Sequence, residues 1–372
     1  MMKFTNRLRE ALSKIYIGFL MSDVENIRTP GFIIDKMSGD QIELMLRNLF
    51  LPERFFIQLE NAFVEKFGVD GRTALYSAGK KGGYVYSSMA NFTQKSKTSD
   101  KDFNNFAWIL LEYVGGTYAS DVSLDLDIEN KVFDATFKNF VVCEKNGKGH
   151  IITEGGIAGI WSWLVEDKTI EATQTTCQGR GDKKCALIAQ PASQFKEQIP
   201  YNVQDLPDIK YTEMYAEFNK VRPTEYTKLT LDEMIQAQVV NYDNGKVLLG
   251  EIRHFEIDAH ILYILEAECS KLSGGEDILF EVAFNQGKEI MANASSPTLQ
   301  FIMDYLSALG WGDLIILDID DGYKVDSNFF PWTQYSDKCR YTVFRGLLSG
   351  MVSQVLGKET RFKKYETDML NS

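Results

Sequence analysis

The sequence predicts an α+β fold, built as two tandem copies of a small, mostly antiparallel sheet of about four or five strands with helices packed against it. Three observations carry that expectation. Short runs of alternating apolar and polar residues, bounded by glycine-bearing turns, are interleaved with helix-length apolar stripes. One stretch, Ile152–Ala189, holds a glycine-spaced helix, a tight turn and two strand-like runs in succession. A set of landmarks from the first half of the chain recurs, in order, in the second half.

The organising stretch reads from residue to chemistry. Gly155, Gly156 and Gly159 space an apolar helix that continues through Trp161 and Leu164. A strand-like run follows at Lys168–Thr176, then a turn closed by Cys177 and Cys185, then a second apolar strand at Ala186–Ala189. Gly179, Gly181 and Asp182 lie between the cysteines, where glycine lets the backbone take positive φ and brings strand ends together. Two thiols so placed can share a metal, form a disulfide or pack as small apolar groups.

This pattern of glycine helix, strand, Cys-x7-Cys hairpin and strand resembles the end of the four-vinyl-reductase domain. That domain occurs in tetrapyrrole-pathway accessory proteins and in the sensor halves of aromatic-responsive transcription activators, and its fold is similar to that of the TRAPP transport-particle subunits. The resemblance implies a ligand-binding or accessory role, and zinc is the cofactor it suggests. The zinc-binding sensors of the family add an upstream Cys and a Glu three positions before the first hairpin Cys. Here that position is Gln174, so the metal set it implies is Cys177, Cys185, Cys143 and Glu171, with the last two as substitutes. The haem-binding relatives need a Tyr-x-Ser-x-Arg run, which this sequence lacks.

Composition bounds the answer. With 372 residues the chain has room for about two domains. A hydrophobic fraction of 44% and a charged fraction of 25% are those of an ordinary globular protein. The net charge of −12, without a Lys/Arg run, argues against nucleic acid as a partner. Five cysteines without a secreted framework point to a reducing compartment, the cytoplasm. The apolar run Ile15–Met21 is too short to span a bilayer, and Asp23 and Glu25 follow it at once, so neither a membrane span nor a signal peptide is expected.

In chain order, residues 1–25 read as an N-terminal amphipathic helix, with Phe4, Leu8, Leu12, Ile15 and Phe19 on one face. Residues 26–190 form the first domain. Gly31–Arg47 reads as a hairpin, Pro52 opens a helix that Gly68 stops, and another helix covers Thr73–Met89. In it, Gly79–Gly83 (GKKGG) reads as a helix irregularity rather than an anion cradle. Asn91–Asn105 reads as a loop, Phe106–Tyr113 as a helix, and Ser123–Ile128 with Asp134–Cys143 as a strand pair. Residues 191–227, punctuated by Pro191, Pro200, Pro207 and Pro223, read as a linker with one short helix at Thr212–Lys220.

Residues 228–372 read as a second, degenerate copy. The hairpin at Val239–Leu249 sets Gly245 on Gly39, an offset of 206 (245 − 39), and the same offset sets Glu266 on Glu60 and Gly274 on Gly68. Leu317-Asp318-Ile319 matches Leu126-Asp127-Ile128 at 191 (317 − 126), as Gly346 and Gly350 match Gly155 and Gly159. The offset falls mostly across the first copy's Asn91–Asn105 stretch, as a loop deletion would make it fall. At 191, Asp368 stands opposite Cys177, so the second copy has no thiol hairpin. The two copies are expected to pair as a pseudo-symmetric dimer within the chain, with a homo-oligomer as the alternative.

Little in the sequence is catalytic. There is no GxGxxG after a strand, no Walker sequence and no GxSxG. His150, His254 and His260 are scattered and read as core or rim residues. The LDLD and LDID runs (Asp125, Asp127, Asp318, Asp320) put each acid pair on one strand face, read as solvated. Independent enzyme activity is not expected, because reduction needs a hydride source and no nucleotide fingerprint is present. The expectation is therefore a small-molecule binding or sensor protein for apolar or aromatic compounds, acting through a protein partner. An accessory factor in tetrapyrrole vinyl-group reduction and a TRAPP-like scaffold without a ligand are the alternatives. The pocket is expected in the first copy between the Phe106–Tyr113 helix, the Gly155–Leu164 helix and the sheet, lined by Phe56, Trp108, Leu111 and Trp161. Trp161 and Trp163 lie about 200° apart on the helix wheel, so they face different ways.

Overall fold

The computed structural model describes residues 24–39, 42–107, 110, 119, 121–140, 150–197, 201–207, 226–243, 246–320, 322–328, 330–331 and 339–364. The N-terminal helix expected before Asp23, the Thr212–Lys220 helix, Trp108, Leu111 and Cys143 lie outside these residues. The fold is α+β, and every strand pair with a given register is antiparallel. Among the described residues no helix is long and apolar enough to cross a membrane.

The chain divides into two compact units that interleave along the sequence. The first takes in residues 1–28, 33–48 and 75–220, and the second 29–32, 49–74 and 221–372. The segment 49–74, early in the sequence, thus belongs with the C-terminal unit.

The first unit opens with β1 (Val24–Thr29), β2 (Phe32–Gly39) and β3 (Ile42–Pro52), whose last residues, from Leu49, belong to the second unit. β2 and β3 form the expected hairpin, with register from Ile33↔Asn48 to Gly39↔Ile42. α1 (Glu53–Phe67) starts directly after Pro52, and Gly68 ends it at φ 57. α2 (Val69–Met89) follows, and its length from Leu75 on lies in the first unit. Where a loop was expected after Asn91, residues 95–97 form a 3₁₀ turn and residues 100–107 are already helical. Ser99 accounts for the early start: its hydroxyl accepts from the Asp102 amide at 3.2 Å, an N-cap that outweighs the polar composition of the stretch.

Four strands then build one sheet in the order β4-β5-β7-β6: β4 (Asp121–Asp127), β5 (Val132–Lys138), β6 (Ile170–Thr176) and β7 (Cys185–Pro191). Alternation along β4 leaves Asp125 and Asp127 on the exposed face, and along β5 it buries Phe133, Ala135 and Phe137. α3 (Ile151–Leu164) covers the buried face. Helices α2 and α3 cross at their glycines: a Cβ on Gly79 or Gly83 would strike the Ile152 or Gly156 carbonyl, and one on Gly155 or Gly159 would strike Tyr76 or Lys80. GKKGG is therefore a helix-crossing surface, and its glycines allow backbone-to-backbone contact.

The second unit contains α1, α4 (Leu231–Gln236), the meander β8 (Asn241–Asp243), β9 (Lys246–Leu249) and β10 (Ile252–Asp258), then α5 (Ala259–Cys269), α6 (Gly275–Asn293), α7 (Leu299–Ala308), the hairpin β11 (Asp313–Ile319) with β12 (Gly322–Asn328), and α8 (Thr342–Leu356). A capping box at Thr230 and Glu233 starts α4, and Asp258 caps α5. α6 and α8 also cross at glycines: a Cβ on Gly287 would meet the Leu347 carbonyl and one on Gly350 the Phe284 carbonyl. α1 lies against α6, where Arg54 pairs with Glu289, and against β10, where the Phe56 and Phe255 rings are 5.0 Å apart.

Candidate functional site in the first unit

Burial of a lysine sets up the polar centre of the first unit. Lys80 sits between the crossing glycines of α2, so the approach of α3 leaves it no route to solvent. Its Nζ meets Glu171 Oε1 of β6 at 2.8 Å, and both side chains are solvent-free. Tyr76, one turn earlier, donates to Glu171 Oε2 at 2.7 Å and accepts the Ala172 amide at 2.8 Å. The Val203 amide donates to Glu171 Oε1 at 2.9 Å. Burial lowers the Lys80 pKa against the opposing pull of Glu171. Burial, then the Glu171 charge, raises that of Tyr76 well above its ordinary value.

Both carboxylate oxygens of Glu171 thus accept hydrogen bonds from within the unit. Cys177 and Cys185 are both buried. The turn between them is held by the Cys177 amide donating to Asp182 at 2.8 Å and the Gln178 amide donating to Cys185 Sγ at 3.4 Å. Among the described residues no three His, Cys, Asp or Glu side chains gather as a metal site, so the described donors do not fit a closed zinc centre.

Trp161 is fully buried beside Phe103 and Phe133, and its indole N–H donates to the Lys131 carbonyl at 2.8 Å. Trp163 points the other way, edge-on to Tyr84, and donates to the Phe92 carbonyl at 2.9 Å. The wheel geometry holds, and Trp161 is a core ring. Phe56 belongs to the second unit, packed on Phe55 and Phe255.

A pocket of the first unit lies at the other end of α3. It is lined by Phe137 on β5 and Phe140 just after it, His150 and Thr153 at the start of α3, Gln174 on β6, and Cys185, Ala186 and Leu187 on β7. Its enclosed cavity is about 10 Å³, far below the ~300 Å³ where drug-sized sites begin. The enclosed part has room for about one water. A β-bulge between Gln174 and Thr176 breaks the β6–β7 ladder at this point, a local device that re-aims a side chain. The Gln174 side chain accepts from the His150 amide at 3.1 Å, and Thr153 bonds His150 Nδ1. Burial lowers the His150 pKa to about 3, so its ring is neutral at physiological pH. Among the described residues no charged side chain lines the pocket.

A short relay connects the pocket to the proline-punctuated segment after β7. The Gln174 backbone N–H donates to Glu154 Oε1 at 2.8 Å, and the Tyr201 hydroxyl donates to Glu154 Oε2 at 3.2 Å. The Tyr201 ring stacks on Tyr76 at 3.6 Å, and Lys81 pairs with Asp205 at 2.7 Å. Tyr201, Val203 and Leu206 are buried, so a stretch that reads as linker is pinned to the unit.

No protein-family model and no curated protein matches this sequence. Among solved structures the chain is similar to the phenol-responsive sensory domain of the transcription activator PoxR, solved with phenol. The likeness has a TM-score of 0.35 and 17% identity over 48% of this chain and 90% of that one. At that level it carries no argument about ligand or role.

Sequence reasoning missed most of this site. The lining residues carry no motif, and only His150, Gln174 and the Cys185 hairpin stood out in the sequence. The local signal that was available is the polar pair Thr153-Glu154 inside an otherwise apolar and glycine-rich helix start.

Proposed function

We propose that this protein binds a small, neutral, single-ring compound in the first-unit pocket and reports its presence through a protein partner. The observation that carries the reading is the lining itself. Phe137, Phe140 and Leu187 offer apolar contact, while His150, Thr153 and Gln174 offer hydrogen bonds to one hydroxyl or carbonyl. A charged ligand is disfavoured, because the described lining supplies no counter-charge. Entry requires lining side chains to move, since the enclosed space is near that of one water. The relay from Gln174 through Glu154 to Tyr201 gives occupancy a route to the segment at 201–206.

The same reading includes a duplication. Its support is the paired helix crossings, with Gly155 and Gly159 of α3 answered by Gly346 and Gly350 of α8 at an offset of 191 (346 − 155), and the β4–β5 hairpin answered by β11–β12. A ligand-free scaffold is the competing reading, favoured by the small enclosed volume.

Native mass spectrometry of the purified protein, followed by calorimetric titration with benzyl alcohol and benzaldehyde as probes, separates the two. Binding that is lost in Leu187→Trp, which fills the pocket, supports the proposal. Absence of both a co-purified compound and probe binding overturns it.

A further inference from the structure

The β11–β12 hairpin differs from its first-unit counterpart in what its second strand meets. β5 is paired on both edges, with β4 on one side and with β7 from Phe133↔Ala189 to Phe137↔Cys185 on the other. Among the described residues β12 pairs with β11 alone. On the proposed duplication, Lys324 and Asp326 stand where β5 has the buried Phe133 and Ala135, at an offset of 191 (324 − 133; 326 − 135). Among the described residues, the face that is core in the first unit is therefore partly exposed here. Leu317 and Ile319, on that same face of β11, are 36% and 49% exposed. The register puts Lys324 directly opposite Leu317 and Asp326 opposite Ile315.

A lysine on an edge strand usually guards it against pairing. The guard fails for one partner only. When β12 meets a second β12 antiparallel about Val325, residues whose numbers sum to 650 (325 + 325) face each other. Lys324 then opposes Asp326 of the other copy, Asp326 opposes its Lys324, and Tyr323 opposes Ser327. Opposite charges across strands stabilise such a pair, and like charges destabilise it. Lys324 and Asp326 already lie together on one face, 3.1 Å apart, so the two copies would form an alternating ring of four charges. The outer edge of β11 offers no such match: its charged residues, Asp313 and Asp318, are both acids.

We propose that β12 is a self-pairing edge, through which two copies of this chain join about a two-fold axis at Val325 into a β11–β12–β12–β11 sheet. The contact is isologous, so it closes at a dimer and does not propagate. Leu317 and Ile319 of each copy then share one face of a four-stranded sheet.

The test is sedimentation velocity of the full chain across a wide concentration range, with circular dichroism as a check on folding. The wild type should dimerise. Lys324→Asp and Asp326→Lys each place four like charges together, and each should weaken dimerisation by about tenfold or more. Both side chains reach solvent, so both variants should fold. Mixing the two variants in equal amounts re-creates opposite-charge pairs and should restore the dimer. A monomeric wild type overturns the proposal. So does a dimer that neither substitution weakens, or a mixture that fails to recover.

Discussion

Lys80 on α2 and Glu171 on β6, 91 residues apart in sequence, form a 2.8 Å ion pair from which water is excluded. The pair is well partnered: Tyr76 and the Val203 amide also donate to Glu171, and the Lys168 carbonyl accepts from Lys80 at 3.1 Å. Removing either partner strands the other in the core. Lys80→Met or Glu171→Leu alone should therefore cost about 3–5 kcal/mol, and the double variant less than the sum of the two. Denaturant unfolding of the three proteins measures the coupling.

The helix crossings make a sharper forecast, because at one glycine of the run a side chain would point into open space. A Cβ on Gly159 or Gly350 meets a carbonyl of the facing helix, whereas one on Gly156 meets nothing within 4 Å. Gly159→Ala and Gly350→Ala should destabilise by about 1–3 kcal/mol through overpacking. Gly156→Ala should stabilise by up to about 1 kcal/mol, since alanine is the better helix former. Melting temperatures rank the three.

Acid should weaken both units through their buried histidines. Burial holds His150 at about 3 and His254 at about 4, both below the ordinary 6.5. The neutral ring is the folded form, so the stability it contributes is complete above pH ~6.5 and is lost as pH falls toward the folded values. By pH 5 each should cost about 2 kcal/mol. His254 also bonds the Ile252 carbonyl at 3.0 Å and Tyr305, which a replacement must respect. Unfolding curves of wild type and His254→Gln at pH 7.5 and pH 5 should show the smaller change in the variant.

Glu266 runs the opposite way. It lies buried on α5 against the start of α8, where it accepts the Val343 amide at 2.9 Å and faces Cys339, and burial raises its pKa from 4.5 to about 7. The protonated form is favoured in the fold, so its stability contribution is complete below pH ~4.5 and is lost as pH rises through ~7. Between pH 5 and pH 8 this group alone should remove about 2–3 kcal/mol from the second unit. Glu266→Gln should flatten that loss, as measured by the pH dependence of the unfolding midpoint.

Local pattern and tertiary placement divide this protein cleanly. Alternation and turn residues made the β2–β3 and β4–β5 hairpins legible, and Pro52 with Gly68 marked both ends of α1. The strand pair around Cys177 and Cys185 was legible from its glycines, and the 191 offset of the α3 and α8 glycines was visible before any contact was known. These signals are short-ranged, because φ/ψ preference and side-chain period act within a few residues.

What only the tertiary structure decided is which of these pieces meet. A lysine in GKKGG looks solvated in sequence; it is buried because a second helix crosses at the glycines beside it. Segment 49–74 joins the C-terminal unit because the apolar face of α1 finds its cover on α6, a choice its own periodicity cannot express. Tyr201, Val203 and Leu206 look like linker because they keep no period, and the segment is held by single contacts to Glu154, Tyr76 and Glu171 contributed from far upstream. The pocket beside Cys185 depends on a bulge and on residues from α3 and three strands, so its existence is a property of the packing and of no one stretch of the sequence.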